Sequence, residues 1–257
     1  MKKYFLIVLV LTFTQTLLSQ TIDANGKKQG YWKKYDTKNK LIYEGEFKND
    51  KPVGVFKYYY PHDTVKAIMN FKLEGKIAYA KLFHFNGKRM GVGKYINEVK
   101  DSVWQYYDEA GVLISKDNYK LGKKNGTSIV YMPDGNIAEE RLFKDDLMNG
   151  PYKQYFGPGK IRAIGTYTNG ELVGKSVHYY PNGVEVAAGF YENGKKKGPW
   201  IYRNENGSVK EKELFINGVP ANKKETDAFF SKNKVQDKVV PAKKDNPSKN
   251  SKTSKGK

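Results

Sequence analysis

Residues 43–54 read YEGEFKNDKPVG, and this stretch decides the fold because its pattern returns every 24 residues. It joins strand-forming residues to an Asn-Asp pair and a glycine, a combination typical of a β-strand that ends in a tight turn. Counted from Gly30, eight blocks of 24 residues follow one another without insertion. The sequence therefore predicts a tandem repeat.

Four positions of each block carry the pattern. The first is Gly in six blocks, with Ala78 and Ser102 as small exceptions, and the sixth is aromatic in all blocks but the last, where Arg203 stands. The tenth position always holds a turn former and the eighteenth is always aromatic: Phe47, Phe71, Tyr95, Tyr119, Phe143, Tyr167, Tyr191 and Phe215. Each block therefore predicts one β-hairpin with position ten in its turn, where glycine adopts positive φ without steric cost.

The predicted fold is all-β: an elongated open meander of tandem β-hairpins, about sixteen strands forming a twisted or curled sheet. A single hairpin is not stable in water, so each block must be held by its neighbours. Many blocks also carry an aromatic residue at position three, as at Trp32 and Phe56. Positions three and six have opposite parity, so either the first strand is bulged or both faces carry aromatic residues.

Composition and the first residues bound the function. The chain has no cysteine and a formal charge of +19, which excludes disulfides and favours acidic partners such as nucleic acid, anionic lipid or anionic glycan. Lys2 and Lys3 precede an apolar run at 4–11 that polar residues then dilute, the layout of a signal peptide. A membrane anchor, the alternative, needs about 20 apolar residues. We expect export to the periplasm or exterior, with no transmembrane segment after cleavage, which disfavours nucleic acid as a partner.

The residues at 43–54, with ENGKKKGPW at 192–200 and TNGELVG at 168–174, resemble the MORN repeat. The 24-residue period and the G-x-W-x-x-Y opening of the blocks are similar to the bacterial MORN variant, whose members are often labelled YwqK-like antitoxins. This resemblance, over about residues 26–221, implies a twisted hairpin array that acts as a scaffold and binds protein or phospholipid. Blocks three and four depart most, at Ala78, Ala80 and Ser102, which predicts an irregularity in the middle of the array.

Three regions are expected: a signal peptide at 1–20, the repeat array at 21–221, and a capping segment with a Lys-rich tail at 222–257. Thr226 is predicted to cap a short helical turn that carries Phe229 and Phe230 and closes the edge of the last hairpin. The composition of the tail predicts disorder. The tail either tethers the protein to an anionic surface or only solubilises it.

No catalytic, metal or cofactor site is predicted from the residues. His62, His84 and His178 lie in different blocks at different positions, without the further ligands that a zinc site requires. Adjacent acids such as Glu139 and Glu140 point to opposite faces of a strand and do not form a catalytic pair.

Two sets of residues are candidates for binding. Three tryptophans recur at position three and form either a stacking platform or core: Trp32, Trp104 and Trp200. Five lysines are predicted in inter-hairpin turns, where they line one edge that attracts anions or discourages aggregation: Lys123, Lys124, Lys195, Lys196 and Lys197.

These features lead to three hypotheses. The first is a non-enzymatic exported scaffold that binds another protein or a cell-surface polymer. The second is a binder of anionic lipid or glycan through the lysine edge and tail. The third is an antitoxin-like partner protein, which requires a leader that is not exported.

Overall fold

A computed structural model describes residues 20–233. The predicted signal peptide up to residue 19 and the predicted tail from residue 234 lie outside the described residues. The described chain forms nineteen strands and one helix. Sixteen strands have seven to nine residues, as the repeat predicts, and three have two residues.

The strands build one antiparallel sheet in which each long strand pairs with the next along the chain. The sheet is not closed, so the predicted all-β open meander of hairpins is confirmed. The first half contains β1 (Thr21–Ile22), β2 (Lys28–Tyr35), β3 (Leu41–Lys48), β4 (Lys51–Tyr59), β5 (Val65–Lys72), β6 (Ile77–Phe83), β7 (Arg89–Ile96), β8 (Val99–Tyr107), β9 (Leu113–Lys120) and β10 (Lys123–Tyr131). The second half contains β11 (Ile137–Lys144), β12 (Leu147–Met148), β13 (Gly150–Gly157), β14 (Lys160–Thr168), β15 (Glu171–Tyr179), β16 (Glu185–Glu192), β17 (Lys195–Arg203), β18 (Val209–Ile216) and β19 (Val219–Pro220).

The turn at position ten has the predicted backbone conformation in every block. All eight residues there have positive φ, between 59° at Asn39 and 88° at Gly183. Between hairpins, two-residue turns such as Asn193-Gly194 also have positive φ at both residues, 48° and 72°. Such turns match the twist of the strands that they join, so consecutive hairpins stay in one sheet.

The irregularity predicted in the middle is a change of turn. Seven blocks open on a residue with positive φ, including Ser102 at 61°. Block three opens on Ala78, which does not have positive φ. The turn before it is longer, and three of its residues have positive φ: Leu73, Glu74 and Gly75. Strands β5 and β6 then pair without the register shift seen between β3 and β4. The strand pairing nevertheless continues through blocks three and four.

Both faces of the sheet carry aromatic residues. Position three contacts position eighteen, as where Trp32 and Phe47 have ring centroids 6.4 Å apart. Position six lies on the opposite face, where Tyr179 is buried with Ile161 and Val177. The register of each hairpin also shifts between positions five and six, but the extra residue lies in the returning strand: in the first hairpin Lys34 pairs with Tyr43 and Tyr35 with Leu41. Of the two alternatives, the structure therefore shows aromatic residues on both faces. The bulge lies in the second strand of each hairpin, so the alternative of a bulged first strand is wrong.

The core is a row of rings laid flat on glycines of neighbouring strands. From Phe56 onward, a large ring at position three recurs every second block and is almost fully buried: Phe56, Trp104, Tyr152 and Trp200. We call these four residues the anchor rings. Each covers a glycine at position sixteen of an adjacent strand, and a Cβ added at Gly93 would lie 2.2 Å from the indole ring of Trp104. Burying a large apolar ring contributes about 1.5–3 kcal/mol, so this row supplies burial that a single layer otherwise lacks.

Helix α1 (Lys223–Lys232) closes the described chain. The prediction that Thr226 caps it is wrong, because the N-cap is Asn222, which accepts a hydrogen bond from the Glu225 amide in a capping box. Thr226 is instead a buried residue of the first turn. The helix lies against β18, where the Lys212 Nζ atom is 5.3 Å from the Phe230 ring centroid.

The ring-on-glycine contact yields a stability prediction. Gly93→Ala should lower the free energy of unfolding by about 1–3 kcal/mol, because the new methyl group displaces the Trp104 ring. Gly157→Ala is the matched control, since a Cβ there meets nothing within 4 Å. Thermal and denaturant unfolding monitored by circular dichroism would measure both. Equal losses in the two variants would contradict the proposed role of the contact.

Candidate binding face

One face of the sheet is formed by positions three, five, fourteen, sixteen and eighteen of each block, and we call it the aromatic face. In the first blocks its rings form a continuous cluster, in which the Phe56 ring centroid lies 5.1 Å from that of Phe47 and 5.2 Å from that of Phe71. Within residues 20–233 there is one sheet and one helix, and that helix lies at β18. No second layer of the described chain therefore covers the aromatic face along most of its length.

The anchor rings divide this face into three gaps. Neighbouring anchor rings are four strands apart, or about 19 Å at the usual strand spacing. Between them, positions sixteen, three and sixteen hold smaller or polar residues. The first gap contains Met69, Ala80 and Gly93, the second Asp117, Ser128 and Arg141, and the third Gly165, Ser176 and Gly189.

The first gap opens into an apolar hollow. Its volume is about 450 Å³, and its walls include Tyr58, Met69, Phe71, Ala78, Leu82 and Tyr95. Lys76 and Glu98 are the charged residues of its lining. Ala80, in the first gap, takes a position that holds a ring in the blocks on either side, but it is 1% exposed and does not line the hollow.

The second gap holds a buried polar cluster. The Ser128 hydroxyl donates to Asp117 Oδ1 at 2.5 Å, and Lys124 Nζ lies 3.1 Å from Asp117 Oδ2. Asp117 and Ser128 are only 5% and 3% exposed. Arg141 donates to Glu139 through one terminal nitrogen, whereas its buried Nε has no hydrogen-bond partner among the described residues.

Lysines that precede the block openings extend over the rings of this face. The Lys100 ammonium lies 4.9 Å from the Trp104 ring centroid and donates to the Tyr106 hydroxyl at 2.7 Å. Lys196 repeats this arrangement with Trp200 and Tyr202. Burial lowers the pKa of Lys100, and neighbouring Lys124 lowers it further, while Asp117 opposes both effects. Positive charge is thus concentrated at the second gap.

The structure places two of the three candidate tryptophans in the core. Trp104 and Trp200 are 0% and 1% exposed, and Trp32 is partly buried. Each indole Nε1 donates to a backbone carbonyl, at Gln29 for Trp32, Lys94 for Trp104 and Phe190 for Trp200. Trp104 and Trp200 are therefore core residues and not a stacking platform, because they present no surface on which a ligand can stack.

The five candidate lysines do not line one edge. They are the first residues of β10 and β17 instead of turn residues, so their side chains alternate between the two faces. Lys124 and Lys196 extend over the aromatic face, above Phe143 and Trp200 respectively. Lys123, Lys195 and Lys197 are exposed, and Lys197 donates to Glu192 at 2.6 Å.

Other charged residues have structural partners. Glu139 pairs with Arg141, whereas adjacent Glu140 accepts from the Tyr155 hydroxyl at 2.9 Å. Two neighbouring acids thus have separate sets of partners, as expected for opposite faces of a strand. Arg203, which replaces the aromatic residue at position six, is buried with Glu185 at 3.9 Å. Among residues 20–233, no group of three or more His, Asp or Glu side chains is arranged to hold a metal ion.

Sequence reasoning missed the cluster of Asp117, Ser128 and Arg141. The signal was present at positions three and sixteen, where the other blocks mostly hold rings, glycine or small residues. The alternation of rings with a period of two blocks, or 48 residues, was the other missed pattern. It is visible in the sequence as an alternation of rings and small residues at position three, and the structure adds that these rings are buried.

His178, half-buried in β15, gives a pH prediction. Burial lowers its pKa from the usual 6.5, and Arg162 and Lys196 lower it further. Below pH 6.5 the unfolded chain therefore binds a proton that the folded chain does not, so stability should fall as the pH falls toward the folded-state pKa. His178→Gln should remove this part of the acid sensitivity in unfolding measured between pH 7.5 and 5. His62→Gln, at an exposed turn, should leave it; equal profiles for His178→Gln and wild type would contradict the assignment.

Three segments match the family described as MORN repeat variant, at residues 28–49, 52–73 and 100–121. No curated protein matches the chain. Among solved structures, the chain is similar to a crystal structure of an S. aureus TarM mutant in complex with fondaparinux, alpha-GlcNAc-glycerol and UDP. The identity is 11%, the TM-score is 0.29, and the match covers 46% of this chain and 21% of that one. At this TM-score, no property of that protein is transferred to this chain.

In the part of the chain that the structure describes, no helix is long and apolar enough to cross a membrane.

Proposed function

We propose that the protein is a non-enzymatic, exported repeat scaffold whose aromatic face binds another protein or a cell-envelope polymer. The observation that carries this proposal is the open aromatic face with its hollow of about 450 Å³. An apolar hollow of this volume with a few charged residues in its lining is typical of a binding site. MORN repeats are in general binding modules, and the three matched segments contribute most of the rings around Phe56 and Trp104.

A binding role also fits the chemistry of the polar cluster. Ser128 is buried, and its hydroxyl proton is engaged by Asp117, whose second oxygen is held by Lys124. A hydroxyl in this position is not presented to a substrate. The cluster therefore favours recognition of a charged group over nucleophilic catalysis.

Site-specific photo-crosslinking in the native cell tests the proposed face. A photoreactive residue at Leu82, in the wall of the hollow, should yield a defined adduct. The matched control is Tyr79, in the same strand on the opposite face and 54% exposed. Adducts from both positions in equal yield, or from Tyr79 alone, would contradict binding through the aromatic face.

The exposed lysines favour a second candidate, binding to anionic lipid or glycan. Lys123 and Lys195 are solvent-exposed, and residues 231–257 carry further lysines. This function requires binding that weakens with salt and on removal of residues 231–257. The antitoxin-like function requires an intracellular protein, so a mature N-terminus near Gln20 or Thr21 would exclude it and support export.

A further inference from the structure

The second gap contains more positive than negative charge. Its charged side chains are Lys100, Lys124 and Arg141 against Asp117 and Glu139. Both oxygens of Asp117 are already engaged, by Ser128 and Lys124. The Arg141 Nε donor is buried and has no partner among residues 20–233, whereas the Arg141 side chain as a whole is 33% exposed. A carboxylate supplied from outside would bind the exposed part of this guanidinium and balance the charge.

The first gap offers complementary chemistry on the same face. Ala80 in the first gap and Ser128 in the second occupy the same position two blocks apart, so the two gaps are separated by four strands, or about 19 Å. The hollow beside this gap is lined mainly by apolar and aromatic side chains, including Met69 of the gap itself. An apolar side chain that entered it would contact Met69, Phe71 and Leu82.

The surface between the two gaps is suited to a polar chain. Lys76, Lys100 and Lys124 occupy the same position in three successive blocks, about 10 Å apart at two strand spacings. Lys76 is exposed, and Lys100 lies over Trp104 at the border of the second gap. A lipid acyl chain laid across these ammonium groups would remain in contact with charge and water. An extended peptide advances about 3.3 Å per residue, so about six residues cover the distance between the gaps.

We propose that the two gaps form one two-part docking site for an extended, acidic segment of a partner protein. An apolar side chain of the segment enters the first gap, and a carboxylate about six residues away binds Arg141 and Lys124. This inference rests on the proposed function, that the aromatic face binds a partner, and adds the chemistry of that partner. The charge surplus at one gap, the apolar hollow at the other and their separation carry it.

Synthetic peptides of defined spacing provide the probe. Fluorescein-labelled peptides would carry one Trp and a Glu-Glu pair, separated by Gly-Ser spacers that place the two groups two to ten residues apart. Fluorescence polarisation with the full chain should show the highest affinity at a separation of five to seven residues. Replacing Glu-Glu by Gln-Gln, or Trp by Gly, should weaken binding at least fivefold.

Matched variants assign each part of the peptide to its gap. Arg141→Gln should abolish the preference for Glu over Gln, whereas Lys197→Gln removes the same charge from an exposed residue outside the gaps and should preserve it. Met69→Trp, which fills the hollow from its wall, should abolish the preference for Trp over Gly. Leu82→Trp tests the same point from another wall of the hollow. Circular dichroism identifies which of the two variants is folded and so valid for comparison.

Several outcomes would overturn the two-part site. These are no peptide binding, affinity without an optimum spacing, or equal losses in Arg141→Gln and Lys197→Gln. Binding to phosphatidylglycerol vesicles that depends on Arg141, without peptide binding, would identify a lipid as the occupant instead. Crosslinking from Leu82 separates the two proposals: an adduct there, combined with peptides that fail, retains the aromatic face and refutes only the acidic segment.

Discussion

The structure depends on aromatic rings that lie flat on the backbone of a neighbouring strand. A sheet of one layer has no opposing layer in which to bury its side chains, so burial must come from within the layer. Trp104 is fully buried because Gly93, beside it, has no Cβ: a methyl group there would lie 2.2 Å from the indole ring. The same contact recurs at Gly45 with Phe56, Gly165 with Tyr152 and Gly189 with Trp200. Phe56, Trp104 and Trp200 each tie two hairpins together by covering a glycine of the preceding hairpin, whereas Tyr152 covers Gly165 of its own hairpin.

From the second block onward, rings and small residues alternate at position three of the aromatic face. Phe56, Trp104 and Tyr152 are followed in the next block by Ala80, Ser128 and Ser176, whereas Trp32 and Phe56 stand in successive blocks. The three gaps occupy equivalent positions of the repeat but differ in chemistry. The first borders an apolar hollow, the second holds an Asp-Ser-Arg cluster whose Asp and Ser are buried, and the third is lined by glycine. The repeat positions form the sheet, and binding specificity would come from the residues at the gaps, where the sequence departs from the repeat.

Much of the fold was predictable because it depends on local backbone geometry. The turn formers at position ten and the Asn-Gly pairs predicted where the chain reverses, and both have positive φ in the structure. The candidate site was less predictable. Lys124 and Lys196 were grouped with Lys123, Lys195 and Lys197, although alternation along a strand separates the two groups. Asp117, Ser128 and Arg141 were missed because each belongs to a different strand, and their proximity depends on the register between strands.

By itself, the sequence determined the period, the number of long strands and the positions of the turns, because these depend on residues close together in the chain. Only the tertiary structure decided which face each aromatic residue occupies and which gap opens into a hollow. The Arg203 exception shows the difference: its sequence position indicated a lost aromatic residue, but only the fold reveals that Glu185 is buried beside it. The physical reason is that the pairing register, and the contacts of a ring with the strands beside it, depend on two neighbouring hairpins. They cannot be read from the residues of one block.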